Sequence, residues 1–348
     1  MRIDLRSDTA TRPTARMRQA MADAEVGDDG FGEDPTVNLL QERCAEAVGK
    51  EAAVYVASGT MANQLAMLVL ARPGHRVVCG QGAHVATKEA GASALLGGLS
   101  FTQLATTTGE IPAEVLSAAL NDGGPPVDLI VVENTHQSCG GYPWRPEALA
   151  GLRAGADAAR VPVYMDGARI FNAAVATGVP VRAYTDSVSA LMFCLSKSLG
   201  APVGSVVCGP ASFVGEVRER KLQLGGGWRQ AGVLAAAGLV ALEEAPGRLH
   251  EDHATAQQLA TGMASISPEV TDPDAVRTNI VFADPSPLGA SAQQVAARLK
   301  EAGVLCKAGR TRLRLVTHRD ISPADIEQCL AAWSAVAKQY TARSRAVA

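Results

Sequence analysis

Short runs rich in Val and Ile alternate along the chain with longer stretches of helical character, and this alternation constrains the fold more than any other feature. Strand candidates are Ala52–Ala57, Arg76–Cys79, Asp128–Glu133, Pro162–Met165, Ser189–Leu195 and Gly204–Cys208. Between them, Met61–Leu70, Pro112–Leu120, Pro146–Ala159 and Phe213–Lys221 read as helices. Apolar strands joined by helices make βαβ units, so the expected class is α/β with a largely parallel sheet covered on both faces. A long Ala- and Leu-rich stretch, Gln230–Glu244, ends at the breaker Pro246-Gly247. Beyond it come a helix from Leu249, strands near Asn279–Phe282 and Arg312–Val316, and a last helix from Pro323 to about Tyr340. The expected division is therefore a large domain over 1–246 and a smaller α/β domain over 247–348.

Charge and composition exclude several kinds of partner. The 348 residues carry 32 basic and 35 acidic side chains, a net charge of −3, which offers neither a basic nucleic-acid footprint nor a polybasic membrane patch. The seven cysteines are irregularly spaced with no Cys-x-x-Cys pair, so they read as small buried hydrophobes rather than a disulfide framework or a zinc site. No metal is expected. Arg2, Asp4, Arg6 and Asp8 are incompatible with a signal peptide's apolar segment, and the longest apolar stretch, Ala231–Leu242, is too short to span a bilayer. A cytoplasmic protein is expected.

Three features carry chemistry. Lys197 directly follows an apolar strand and precedes a turn, Ala201-Pro202-Val203-Gly204-Ser205. Most lysines snorkel to solvent, but this one stands next to the core, where partial desolvation lowers an amine's pKa toward what Schiff-base chemistry requires. Asp166 ends a strand, where α/β sheets line their ligand crevices. An acid there can serve as metal ligand, nucleophile or partner of a protonated ring nitrogen. Ser58-Gly59-Thr60 stands between a strand and a helix, with Ser58 as N-cap and Gly59 permitting close approach of a phosphate to unpaired N–H groups. No P-loop and no Gly-x-Gly-x-x-Gly after a strand is present, which disfavours nucleotide triphosphates and nicotinamide dinucleotides. A phosphate cradle, a strand-end aspartate and a strand-end lysine in this order suggest pyridoxal 5′-phosphate.

Longer motifs add a specific resemblance. Asp4-Leu5-Arg6-Ser7-Asp8-Thr9, Val26-Gly27-Asp28-Asp29, Gly32-Glu33-Asp34-Pro35-Thr36, Asp166-Gly167-Ala168-Arg169-Ile170-Phe171-Asn172-Ala173, Cys194-Leu195-Ser196-Lys197, Gly225-Gly226-Gly227-Trp228-Arg229-Gln230 and Arg314-Leu315-Val316-Thr317-His318 resemble the low-specificity L-threonine aldolases over nearly the whole chain. The resemblance implies a fold-type-I pyridoxal phosphate enzyme: an N-terminal arm, a large cofactor domain on a mostly parallel seven-stranded sheet, and a small C-terminal domain. It also implies a homotetramer, a dimer of dimers with shared active sites. Lys197 would hold the cofactor's aldehyde, next to Ser196, and Asp166 would pair with the pyridine nitrogen. His84 would stack on the ring, and Ser58, Gly59 and Thr60 would hold the phosphate, with Lys221 and Arg229 reaching it from a neighbouring subunit. Ser7, Arg169 and Arg314 would bind the substrate carboxylate, for which an arginine fork is the natural clamp. The implied reaction is retro-aldol cleavage of L-threonine, L-allo-threonine or a related β-hydroxy-α-amino acid to glycine and an aldehyde.

Departures from the family pattern gather on the substrate side. The loop Asn121–Val127 lacks the usual histidine, Lys88 replaces an aromatic residue and Phe31 replaces a tyrosine. Lys88 reads either as a solvated surface lysine or as a catalytic amine facing the substrate's β-side, which would attract a polar side chain if charged or take the β-hydroxyl proton if desolvated. His136 belongs to the family's own Glu-Asn-Thr-His motif and is assigned no catalytic role. The alternatives are another pyridoxal phosphate lyase that eliminates a β-substituent, and a non-catalytic cofactor-binding protein.

Overall fold

The computed structural model describes residues 2–347. They form two compact units, Pro13–Pro246 and a second made of the first twelve residues with those from Gly247 onward. In chain order the strands are β1 (Ile3–Asp4), β2 (Ala52–Val56), β3 (Arg76–Gly80), β4 (Ser100–Leu104), β5 (Val127–Glu133), β6 (Val163–Asp166), β7 (Ala190–Cys194), β8 (Ser205–Gly209), β9 (Ile280–Ala283), β10 (Val304–Leu305), β11 (Lys307–Ala308) and β12 (Leu313–Val316).

In the larger unit seven strands make one sheet in the order β2-β8-β7-β6-β5-β3-β4. The pairs from β4 across to β7 are parallel, and β8 runs antiparallel to both β7 and β2. Only β8 is reversed, so β2 points the same way as β7. Every residue of β3, β7 and β8 is buried, as expected of strands covered on both faces. β4 is the strand that the sequence pattern did not suggest. It lies at the sheet edge, its residues Ser-Phe-Thr-Gln-Leu are partly exposed, and an edge strand needs no continuous apolar run.

One core joins the sheet to the helix Gly59–Leu70: Val54, Val56, Leu65, Ala66, Val77, Leu129, Met192 and Val207 all belong to it. The helix starts where the Ser58 hydroxyl accepts a bond from Met61 N at 3.2 Å. At the opposite edge of the sheet, buried Arg76 begins β3. Its Nη1 and Nη2 each lie 2.7 Å from an Asp122 oxygen, and its Nε donates to the Pro125 carbonyl at 2.6 Å. This clamp holds the loop before β5 against the strands' N-terminal ends.

In the second unit β1 pairs in parallel with β10, and β11-β12-β9 form an antiparallel sheet. Ile3 and Leu5 join Leu259, Met263, Val281, Leu299, Leu315 and Trp333 in its core. The sequence division kept the arm with residues up to 246. In the structure the arm belongs to the C-terminal unit, because Val316 N donates to the Leu5 carbonyl at 2.8 Å and β10 offers β1 an unpaired edge. Two-residue strands leave no periodicity for a sequence to reveal.

Gly204 fixes the turn into β8. Its φ of +107° lies outside the region that L side chains adopt, and a Cβ there would overlap the Tyr55 ring. Its carbonyl accepts bonds from Leu195 N at 3.1 Å and Ser196 N at 3.3 Å, which holds the segment leading to Lys197. Gly204→Ala is expected to destabilise the protein by about 2–3 kcal/mol, read as a lowered urea midpoint at unchanged slope.

Candidate active site

Parallel strands that end together create the site. The register sets Glu133, the last residue of β5, beside Asp166, the last of β6, and Asp166 beside Met192 of β7. Because β2 runs the same way, the helix start at Gly59 reaches the same edge. A Cβ on Gly59 would come within 3.0 Å of both Cys194 Sγ and Met192 Cε, so glycine is what lets this helix start abut the end of β7. The chain then leaves β7 through half-buried Ser196 and Lys197, in a tight turn closed by Gly200 N donating to the Lys197 carbonyl at 2.8 Å.

Asp166 is 2% exposed. Its Oδ2 accepts from Asn63 Nδ2 at 2.9 Å and its Oδ1 from Ala168 N at 3.2 Å. His84, half-buried in the segment after β3, donates its backbone N–H to Glu133 Oε2 at 2.6 Å. Its ring Nδ1 lies 2.8 Å from Glu89 Oε1. Glu89 is 3% exposed and also accepts from Asn63 Nδ2 at 2.8 Å and Gln64 Nε2 at 2.6 Å. Tyr164 OH donates to Asn63 Oδ1 at 3.1 Å, and burial holds that phenol's pKa far above its ordinary value, so it stays a donor. Burying a carboxylate costs several kcal/mol, and donors to the charged oxygens are what make it tolerable.

The electrostatics of His84 follow from these neighbours. Burial pushes its pKa down, and so does Lys197. The hydrogen bond to Glu89 and the charges of Asp166 and Glu89 outweigh both, leaving the value raised above 6.5. One ligand atom each from His84, Glu89 and Asp166 falls within 4.8 Å of the others, a spacing seen in metal sites. The donors argue for a hydrogen-bond network instead, since amide N–H groups of Asn63 and Gln64 point at oxygens that a cation would need.

These residues fit pyridoxal phosphate. A buried carboxylate at a strand end suits a protonated ring nitrogen, a half-buried lysine just beyond the end of β7 suits the aldehyde, and a capped helix start suits the phosphate. Arg169 is 4% exposed, three residues beyond Asp166, while Ser58 is exposed and Thr60 half-buried. Lys88 is exposed on the turn between His84 and Glu89.

Lys221 and Arg229 meet at Asp29 and Trp228, and Asp29 stands two residues before Phe31. Lys221 is 5% exposed, with its ammonium 3.2 Å from Asp29 Oδ2 and 4.5 Å from the Trp228 ring centroid; burial lowers its pKa. Arg229 is exposed and donates to the Trp228 carbonyl, and Asp29 N donates to the Arg229 carbonyl at 3.1 Å. Phe31 is 80% exposed. Ser7 and Arg314 lie in the C-terminal unit, where Arg314 Nη2 donates to the Arg6 carbonyl at 2.9 Å and Ser7 Oγ accepts from Thr9 N. The loop Asn121–Val127 sits at the start of β5, about 20 Å along that strand from Glu133.

The sequence assigns no site role to Glu89, Asn63, Gln64, Glu133 or Tyr164. One signal for them existed: Asn63-Gln64 is a polar pair within the otherwise apolar Met61–Leu70, and both side chains are buried.

The family profile of the beta-eliminating lyases matches residues 4–286. The chain belongs to that family. It is 40% identical to low-specificity L-threonine aldolase 1 of Arabidopsis thaliana, over 94% of each chain. It is 37% identical to the low specificity L-threonine aldolase of Escherichia coli K12, over 96% of this chain and 98% of that one. Among solved structures, the threonine aldolase of Leishmania major superimposes with a TM-score of 0.81 at 17% identity, covering 97% and 99% of the two chains. A structure of SPT with PLP gives 0.74 at 18% identity, covering 97% and 88%. These structural likenesses establish a shared fold-type-I architecture for this beta-eliminating lyase.

The raised His84 pKa makes stability depend on pH. The stabilisation that the protonated ring gains is fully present below 6.5 and is lost as pH rises through the folded value. His84→Gln is expected to cost most stability near about pH 6 and least near about pH 9, read from urea midpoints of both proteins across that range. A pH-independent cost would contradict the assignment.

Proposed function

We propose that this family member is a pyridoxal phosphate-dependent aldolase that cleaves L-threonine, L-allo-threonine or a related β-hydroxy-α-amino acid to glycine and an aldehyde. The observation that carries this reading is the meeting of buried Asp166 with half-buried His84 and Lys197 at one sheet edge. Bound there, the cofactor supplies an electron sink conjugated to the amino acid's Cα. Asp166 keeps a proton on the ring nitrogen, and Lys197 anchors the cofactor through its amine beside Ser196. Ser58, Gly59 and Thr60 present helix N–H groups to the phosphate. Arg169 clamps the substrate carboxylate, which sets the Cα–Cβ bond for cleavage. The β-hydroxyl proton leaves on a base, and His84 is the imidazole that this edge carries.

In the proposed assembly, a homotetramer built as a dimer of dimers, Lys221 and Arg229 reach a neighbouring subunit's phosphate. Lys88 and Phe31 take the side of the β-substituent. We assign a cytoplasmic location; separately, no helix among the described residues is long and apolar enough to cross a membrane.

Two experiments test this reading. The cofactor-loaded protein is expected to release glycine and an aldehyde in equal amounts from at least one of threonine, allo-threonine, phenylserine and 3-hydroxyaspartate. Lys197→Ala should lose both that activity and the borohydride-fixed cofactor while its circular dichroism is retained. Ammonia and a keto acid as products would favour β-elimination, and borohydride labelling of another lysine would overturn the assignment of Lys197. In a separate test, Lys88→Phe is expected to reorder the four substrates by about tenfold in kcat/KM with the cofactor's absorbance unchanged. An unaltered ranking would make Lys88 a surface lysine.

A further inference from the structure

Glu89 is as deeply buried as Asn63, Gln64 and Ser93 around it. Its side chain has no exposed surface, whereas the His84 ring that it bonds is 27% exposed. A carboxylate in that position is costly, and an apolar side chain would fill the space more cheaply. What the carboxylate adds is two acceptors. Oε1 lies 2.8 Å from His84 Nδ1 and 2.8 Å from Asn63 Nδ2, and Oε2 is held at 2.6 Å by Gln64 Nε2. Gln64 is itself steadied, donating to Ser93 Oγ at 3.1 Å. Asn63 Nδ2 also donates to Asp166 Oδ2 at 2.9 Å, and Tyr164 OH fixes the other end of the Asn63 amide.

We propose that Glu89 is the positioning residue for His84, holding the ring by a Nδ1–H bond so that Nε2 is the nitrogen left for chemistry, and that Asn63 ties this pair to Asp166 as one rigid hydrogen-bonded unit. The proposal rests on the reading of His84 and Asp166 as functional groups of the aldolase site. A ring nitrogen's protonation is set by the bond that the other nitrogen makes. With Nδ1 committed to a charged oxygen, Nε2 is an acceptor in the neutral ring. The charged and titratable groups facing His84 are Glu89 at Nδ1, Glu133 at the backbone N–H, and Asp166 and Lys197 across the site, with exposed Lys88 four residues along.

Glu89→Gln separates charge from shape. The glutamine oxygen can still accept from His84 and Asn63, while a flipped Gln64 amide accepts from the new N–H and Ser93 donates in return. The measurement is nuclear magnetic resonance of histidine-labelled, cofactor-loaded protein, with the His84 signal identified by its loss in His84→Gln. In the wild type, Nδ1–H is expected in the neutral ring, and its titration midpoint is the reference for the variants. In Glu89→Gln the midpoint should fall by about one unit, with kcat reduced about tenfold and KM nearly constant. Glu89→Asp, which keeps the charge but shortens the reach, should retain more of the midpoint than of kcat.

A Nε2–H tautomer in the wild type overturns the proposal without recourse to any variant. An unchanged midpoint and kcat in a folded Glu89→Gln do so as well. The resonance readout needs no substrate. Absence of glycine release from every β-hydroxy amino acid therefore defeats the aldolase reading alone, and a wrong tautomer defeats the positioning role alone.

Discussion

The site depends on the parallel register of β5, β6 and β7. Strands that run the same way must end at the same edge, and the hydrogen-bond ladder decides which residues stand side by side there. Pairing Glu133 with Asp166 and Asp166 with Met192 brings three separate segments of chain into one crevice. A slip of one residue would turn Asp166 to the other face of the sheet. The reversed strand β8 matters to the same geometry. It lies between β7 and β2, so β2 keeps the common direction and delivers the helix start at Gly59 against the end of β7.

Behind that edge the buried polar groups are matched to one another. Two carboxylates such as Asp166 and Glu89 are costly to bury near one another without donors. Asn63 stands between them and donates to both, Gln64 and His84 complete the shell around Glu89, and Ala168 N serves Asp166. Burial works against charge on His84, but the two carboxylates prevail. The His84 ring is thereby held while it stays partly exposed. The loop before β5 is clamped by Arg76 at the far ends of the strands.

Much of this was legible in the sequence. Short apolar runs separated by helical stretches identify an α/β fold, because a strand buried on both faces has to be apolar throughout. Lys197, Asp166 and Ser58-Gly59-Thr60 stand out because each adjoins the end of a strand, where backbone direction alone sends a side chain or an N–H into the crevice. Motifs along nearly the whole chain carry the family resemblance that the comparisons bear out.

Other features were decided only by tertiary structure. The edge strand β4 and the arm strand β1 have no pattern of their own and exist because a neighbour offers unpaired backbone groups. Glu89 follows a lysine on a short turn and looks like an ordinary surface acid until the helix Gly59–Leu70 packs Asn63 and Gln64 against it. Sequence specifies local preferences and the direction in which the chain leaves each strand. Which polar atoms meet in the interior, 26 and 103 residues apart in the case of Asn63 with Glu89 and Asp166, depends on a packing that no local window contains.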